Sequence, residues 1–246
     1  SKSRSWKLKE GVVDSSPLSD TPRPGNAKFK KLTPVDPNST NPYQLTEADR
    51  TVIGNTTPKF SGGFGLNATY KGFDMSMFFN FMYDFDVLNA NKIMLTTWAD
   101  NKENNFLMNI ASDKRWRNFD DMGNEIRYSP EVLAEFNKNA TMWNPTSIGR
   151  PICMSYAVED GSFLRLNSAT LGYTLPSVWT KKVGLSKVRF YVSGNNLFTL
   201  TGYSGYDPEV NIATGLTPNI DYNRYPRSRT STFGACLLYT SPSTRD

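Results

Sequence analysis

Between Phe73 and Asp84 the chain changes character at almost every step. Phe73, Met75, Met77, Phe79, Phe81 and Tyr83 share one phase, Asp74, Ser76, Asn80 and Asp84 share the other, and Phe78 and Met82 are the exceptions. A repeat of two residues is that of a β-strand whose two faces meet unlike surroundings. Two architectures supply them: a soluble sandwich, whose apolar face is its core, and a membrane barrel, whose apolar face meets lipid.

The pattern recurs along the chain. Phe60, Gly62, Phe64, Leu66, Ala68 and Tyr70 alternate with Ser61, Gly63, Gly65, Asn67 and Thr69, and Lys71-Gly72 leaves room only for a tight hairpin turn before the next strand. Ser162–Thr174 is strand-like but changes phase near Leu166–Asn167, the mark of a bulge. Val188, Phe190, Val192, Gly194, Phe198 and Leu200 form the next apolar series, and a last strand starts near Arg229 with Phe233, Ala235 and Leu237 on one face. Residues 1–57, 85–160 and 202–227 read as long loops, the second with a short helix over Ser129–Asn139 that Ser129 caps and Pro130 opens. Long and short connections therefore alternate. A compact soluble domain seldom carries structureless loops of this length, whereas an outer-membrane barrel has short periplasmic turns and long extracellular loops by construction.

Composition sets limits without choosing. A length of 246 residues suffices for a full-sized core, and a hydrophobic share of 38% looks soluble. Barrels hide from that measure, because half of their strand residues face a polar lumen. No run of 18 apolar residues exists, which excludes a transmembrane helix. Ser1–Glu10 is basic and lacks an apolar centre, so no signal peptide opens the chain, and a secreted or outer-membrane protein would be represented here by a segment. Residues 1–31 hold eight Lys and Arg against three acids, but without aromatic interleaving or helical pattern they read as a solvated loop, with no nucleic acid as partner.

The same inventory argues against catalysis. Histidine is absent, which removes the commonest general base and metal ligand. Glu159-Asp160 and Asp120-Asp121 are neighbours in loops and read as solvated charge; Ser155, Ser162 and Ser193 lack the context of a nucleophile elbow. Gly62, Gly63 and Gly65 lie inside a strand with no helix after them, so they read as small residues on the lumen face of a barrel and not as a phosphate loop. Cys153 and Cys236 form no metal-ligand pattern. The expectation is a chain that is not an enzyme and has no catalytic, metal or cofactor site.

The sequence blocks themselves carry a family resemblance. SFLRLNSATLGYTLP at Ser162–Pro176 and VRFYVSGNNLFTLTGYSGYDPEVN at Val188–Asn211 resemble the C-terminal end of the SusC/RagA family of TonB-dependent outer-membrane transporters. DRTVIGNTTPKFSGGFG at Asp49–Gly65, YKGFDMSMFFN at Tyr70–Asn80 and YPRSRTSTFG at Tyr225–Gly234 match the same family in the same order. The resemblance implies an all-β fold: the last five strands of an antiparallel transmembrane barrel of about 22 strands, with long extracellular loops. It implies 1–57 as an extracellular loop with the end of a preceding strand, and 58–235 as C-terminal barrel strands and loops. It further implies uptake of oligosaccharide or peptide, a SusD-like surface lipoprotein over the barrel mouth, the TonB complex acting through an N-terminal part, and outer-membrane lipid around the strands.

The chain departs from the family twice. Where many members carry a calcium-loop-like stretch, Val35–Pro42 lacks the carboxylate or amide near Thr40 and the Gly near Asn41 that such a loop wants, and reads as a plain loop. At the other end, Cys236–Asp246 reads as translated sequencing-library adapter and is set aside as a non-native tail. In the predicted loops, Trp98, Trp116, Trp143, Tyr203 and Tyr206 are the candidates for contact with a glycan or the lipoprotein, because aromatic faces stack on sugar rings and anchor interfaces. Gly205–Glu209 reads as a fixed turn, with Pro208 restraining Asp207 and Gly205 free to take positive φ. The alternative from another class is a soluble β-sandwich that binds carbohydrate. Aromatic girdles at the strand ends, for which Tyr70, Phe73, Tyr83 and Tyr173 are suitably placed, favour the barrel; buried aliphatics at mid-strand favour the sandwich.

Overall fold

The computed structural model of the chain describes residues 11–18, 21–97, 107–110, 114–147, 152–209, 218–223 and 225–239. It divides into two compact units. One takes in Ser1–Ile53 and Asn89–Ala157, the other Gly54–Leu88 and Val158–Asp246.

The second unit is built on one antiparallel sheet of five long strands. These are β1 (Phe60–Tyr70), β2 (Phe73–Tyr83), β5 (Phe163–Thr174), β6 (Lys187–Thr201) and β8 (Thr230–Leu238), in the order β1-β2-β5-β6-β8. β1 and β2 pair without interruption from Phe60↔Tyr83 to Tyr70↔Phe73. Their turn needs positive φ at both central residues, and Lys71 (φ 45) and Gly72 (φ 88) supply it. The bulge expected near Leu166–Asn167 is present: the register shifts between Phe78 and Phe79 against β5, and between Leu166 and Ser168 against β6. The last strand has Phe233, Ala235 and Leu237 opposite Val192, Phe190 and Val188, as the alternation requires, and runs on to Leu238.

Two sequence exceptions have physical reasons. Phe78 lies on the polar face, where its ring covers Gly63; a Cβ at Gly63 would come within 2.8 Å of the ring and 2.9 Å of the Phe79 carbonyl oxygen. Met82 packs against a buried cluster of Phe85, Val87, Phe163 and Tyr203. Gly63 and Gly65 share the polar face as expected, whereas Gly62 pairs with Phe81 on the apolar one.

The segments read as structureless loops carry short elements that no period could reveal. β3 (Asp86–Asn89), β4 (Val158–Asp160) and β7 (Ile220–Asp221) form a second sheet in the order β4-β3-β7. The first unit holds α1 (Ala90–Met94) and α2 (Pro130–Phe136). Pro130 opens α2 as expected, but the Ser129 side chain makes no capping bond. Asp49 is buried in this unit. Its carboxylate accepts from the backbone of Leu32 (2.9 Å), Thr33 (2.7 Å) and Thr46 (2.9 Å) and from the Thr33 hydroxyl (2.8 Å). These donors, the Thr33 and Thr46 amides foremost, hold the Asp49 carboxyl far below the usual carboxylate range against the opposing effect of burial. The nearby positive charge is the Lys31 ammonium, which donates to the Thr33 hydroxyl (2.8 Å), the Gln44 carbonyl (3.0 Å) and Asp49 (3.4 Å).

Candidate functional site

Registered pairs share a face, so the pairing sorts the long sheet into two surfaces. On one, Tyr70, Phe73, Tyr173 and Phe190 lie in a single row across four strands at the turn end. Phe73 and Tyr173 are in contact at 4.4 Å between ring centres. Mid-strand rows such as Ala68, Met75, Leu171 and Val192 follow, and Phe60 stacks on Tyr83 (6.4 Å) at the far end. The rows at Tyr70 and Phe60 are ten residues apart. At ~3.4 Å per residue and a tilt of ~45°, that is a band ~24 Å tall, close to the ~25 Å apolar belt of an outer-membrane barrel. Leu166 and Val188 on this surface are buried, but Phe64, Leu66, Phe73, Leu171, Phe190 and Phe233 are all exposed. A sandwich would bury these side chains under a second sheet.

The opposite surface is polar, and charge spans it at two heights. Near the turn end Arg189 of β6 reaches over β5 to Asp74 of β2 in a bidentate pair, with Nε to Oδ1 at 3.0 Å. Gly172 lies beneath the pair, and a Cβ there would sit 2.6 Å from Asp74 Oδ1. At the loop end Arg165 of β5, 2% exposed, pairs with Asp207 and lies 3.8 Å from Glu209, while Arg227 holds the other Glu209 oxygen at 2.7 Å. Burial on its own would raise the Asp207 carboxyl. The Arg165 guanidinium and the backbone amides of Glu209 and Arg227 outweigh it and keep that carboxyl below its ordinary value. This arrangement clamps the chain after β6 onto the polar face of the sheet.

The candidate aromatics are divided between the two units. Trp116 and Trp143 belong to the first unit, Tyr203 and Tyr206 to the second, and Trp98 lies outside the described residues. Trp143 is half-buried; its indole N–H donates to the Thr96 carbonyl (3.0 Å) and its ring meets Tyr156 edge-on at 4.8 Å. Trp116 is half-buried over Gly25, where a Cβ would lie 2.8 Å from the indole Cγ. Tyr203, 6% exposed, sits in the buried cluster and donates its hydroxyl to Asp221 at 2.6 Å; burial, then that bond, pushes its pKa far above the usual phenol value. Tyr206 is different: 84% of it is exposed, while its neighbours Asp207 and Pro208 are buried.

The Gly205–Glu209 turn is fixed as expected, but by another device. Asp207 accepts from the Glu209 amide (2.9 Å), and Gly205 is absent from the positive-φ residues. Glycine serves there because a Cβ would lie 2.6 Å from Tyr203 Cζ. Arg165, Asp207, Glu209, Arg227 and Asp221 are the paired side chains that reading the sequence missed as a group. Their only linear sign is an arginine in the polar phase of β5 and a Pro-restrained acidic turn.

No family model matches the chain. It is 34% identical over 236 residues to TonB-dependent receptor P3 of Formosa agariphila, covering 94% of this chain and 20% of that protein. It is 36% identical over 88 residues to TonB-dependent receptor SusC of Bacteroides thetaiotaomicron, covering 34% of this chain and 8% of SusC. Among solved structures it resembles the RagAB peptide importer in the closed-closed state with a TM-score of 0.58 at 24% identity, over 79% of this chain and 19% of that one. A second RagAB peptide transporter structure gives 0.55 at 25% identity, over 74% and 17%. The chain thus spans about a fifth or less of the length of these proteins. Its motif order, its belted antiparallel sheet and these likenesses together make it a member of the SusC/RagA family of TonB-dependent receptors, which are β-barrel proteins of the outer membrane.

Proposed function

We propose that the chain forms part of the barrel wall, with its attached loops, of a TonB-dependent importer that carries oligosaccharide, or alternatively peptide, across the outer membrane. The observation that carries this reading is the five-stranded sheet with one exposed, aromatic-bordered apolar surface and one polar surface. The apolar surface meets lipid, and the polar one lines the path taken by substrate. The RagAB likeness, a peptide importer by name, supports the peptide alternative. A SusD-like surface lipoprotein covers the mouth, and TonB supplies the energy through the N-terminal part of the protein.

Within this reading Tyr206 is the loop aromatic we assign to contact with substrate or lipoprotein. Its ring is exposed on a turn that the Arg165–Asp207 pair keeps in place. Such preorganisation lowers the ordering cost of binding. Trp116 and Trp143 are only partly exposed.

The test is uptake by the source cells of labelled oligosaccharide and peptide pools. The account expects uptake of one pool to disappear when residues 58–235 are deleted from the gene and when TonB is inactivated. Unchanged uptake of both pools in both strains would contradict it.

A further inference from the structure

Beyond the row of Tyr70, Phe73, Tyr173 and Phe190, the chain between β5 and β6 folds into α3 (Ser177–Lys181). Thr180 is buried at its centre. The Leu185 amide donates to the Thr180 carbonyl (3.0 Å) and the Gly184 amide to the Lys181 carbonyl (3.2 Å), with Gly184 at φ 73. This is a Schellman closure, so the connection is a fixed turn and not a tether.

What it displays does not suit water. Val178, Trp179 and Val183 are 67%, 60% and 69% exposed. Lys181 and Lys182 are exposed among them, and 175–188 contains three lysines and no acid. The hairpin turn at Lys71-Gly72 shows that joining strands at this end takes two residues, so the extra helix needs another reason.

We infer that α3 and its flanks are an interfacial anchor: Val178, Trp179 and Val183 enter the headgroup region of the membrane leaflet on the turn side, and Lys181 and Lys182 bind the phosphates of its anionic phospholipids. Two observations choose lipid as the occupant. The segment continues directly from the aromatic row that ends the apolar band, and its charge is of one sign. Tryptophan sits at headgroup depth, and lysine stems lie along apolar surface while the ammonium reaches outward. Each lysine near an anionic surface strengthens attachment roughly fivefold. The inference rests on the outer-membrane reading of the sheet.

The experiment uses the full-length transporter containing these residues, inserted in phosphatidylcholine vesicles with or without phosphatidylglycerol. Nitroxide labels are placed at Val178→Cys, and at Leu171→Cys on the strand as a control. Collision with oxygen and with an aqueous nickel chelate gives the depth of each. The label at 178 should lie at headgroup depth, shallower than that at 171, and move deeper when phosphatidylglycerol is added. Lys181→Gln/Lys182→Gln should abolish that response while leaving the label at 171 unchanged. A label at 178 that is fully open to the nickel chelate and indifferent to lipid composition, with 171 still in lipid, overturns the anchor and leaves the barrel reading standing. Shielding of 178 from both reagents means contact with protein, which also overturns it. Exposure of 171 to the chelate in inserted protein overturns both readings.

Discussion

Arg165 shows how much one side chain can organise. Its guanidinium is buried beside two carboxylates that arrive from the loop after β6, so deleting it leaves the buried Asp207 carboxylate without its cation. Arg165→Gln should therefore cost about 3–5 kcal/mol of local stability. Arg227→Gln, at a half-exposed position, should cost about 1 kcal/mol or less. Hydrogen exchange of the amides from Tyr203 to Glu209 measures both, and equal effects would mean that burial does not set the energy. The same loop should respond to acid. Asp207 is held below its ordinary value when folded, so its contribution is complete above about pH 4 and fades as the pH falls through the folded value. Faster exchange of those amides below about pH 4, absent in Asp207→Asn, is the expected result. Little of this was legible in the sequence. Arg165 stands in the polar phase, but its partner lies 42 residues away, and no pattern joins them. Tyr203 and Tyr206 look alike in the sequence, yet a hydrogen bond to Asp221 commits one to the interior while the other is left exposed.

Strands were far more readable, because the period of two is a property of the backbone and survives whatever the side chains touch. Even the bulge showed itself, as a change of phase at Leu166–Asn167. The exceptions Phe78 and Met82 were not legible in the sequence, since their reasons are a glycine on the next strand and a cluster fed by distant loops. β3, β4 and β7 were invisible, being two to four residues long and too short for any period to register. At this scale the two faces make a quantitative claim. Met77 lies on the apolar surface near the middle of the band and adjacent Ser76 on the polar one. Met77→Lys should destabilise the full barrel by about 2–4 kcal/mol and Ser76→Lys by about 1 kcal/mol or less, measured by urea unfolding in vesicles. Comparable costs would mean that the faces are not what they seem. Gly172→Val should separate Asp74 from Arg189, because the new side chain occupies the space where they meet. Its cost should largely vanish in an Asp74→Asn/Arg189→Gln background, a double-mutant cycle that additivity would contradict.

As a whole, the sheet has two edges, β1 and β8, without a further partner strand among the described residues, and an apolar surface whose large side chains are mostly exposed. Such edges and patches drive association, so residues 1–246 expressed alone should be recovered only from denaturant or detergent. A monodisperse, cooperatively melting monomer in plain buffer would favour the sandwich. The tail is a separate matter. Cys236–Leu238 pair with Lys187–Arg189 through backbone bonds that almost any residue makes, so the pairing does not bear on where those residues come from. We propose an adapter origin for Cys236–Asp246, and resequencing of the source locus should give different codons there. Recovery of the same residues from independent amplicons would end that proposal. The central claim, that the apolar surface of the five-stranded sheet meets lipid, is tested most directly by fluorophores at Phe79 and Ser76 of the full-length protein in vesicles, read with a quencher confined to the acyl chains. The account predicts quenching at 79 and none at 76; silence at both in correctly inserted protein would contradict it.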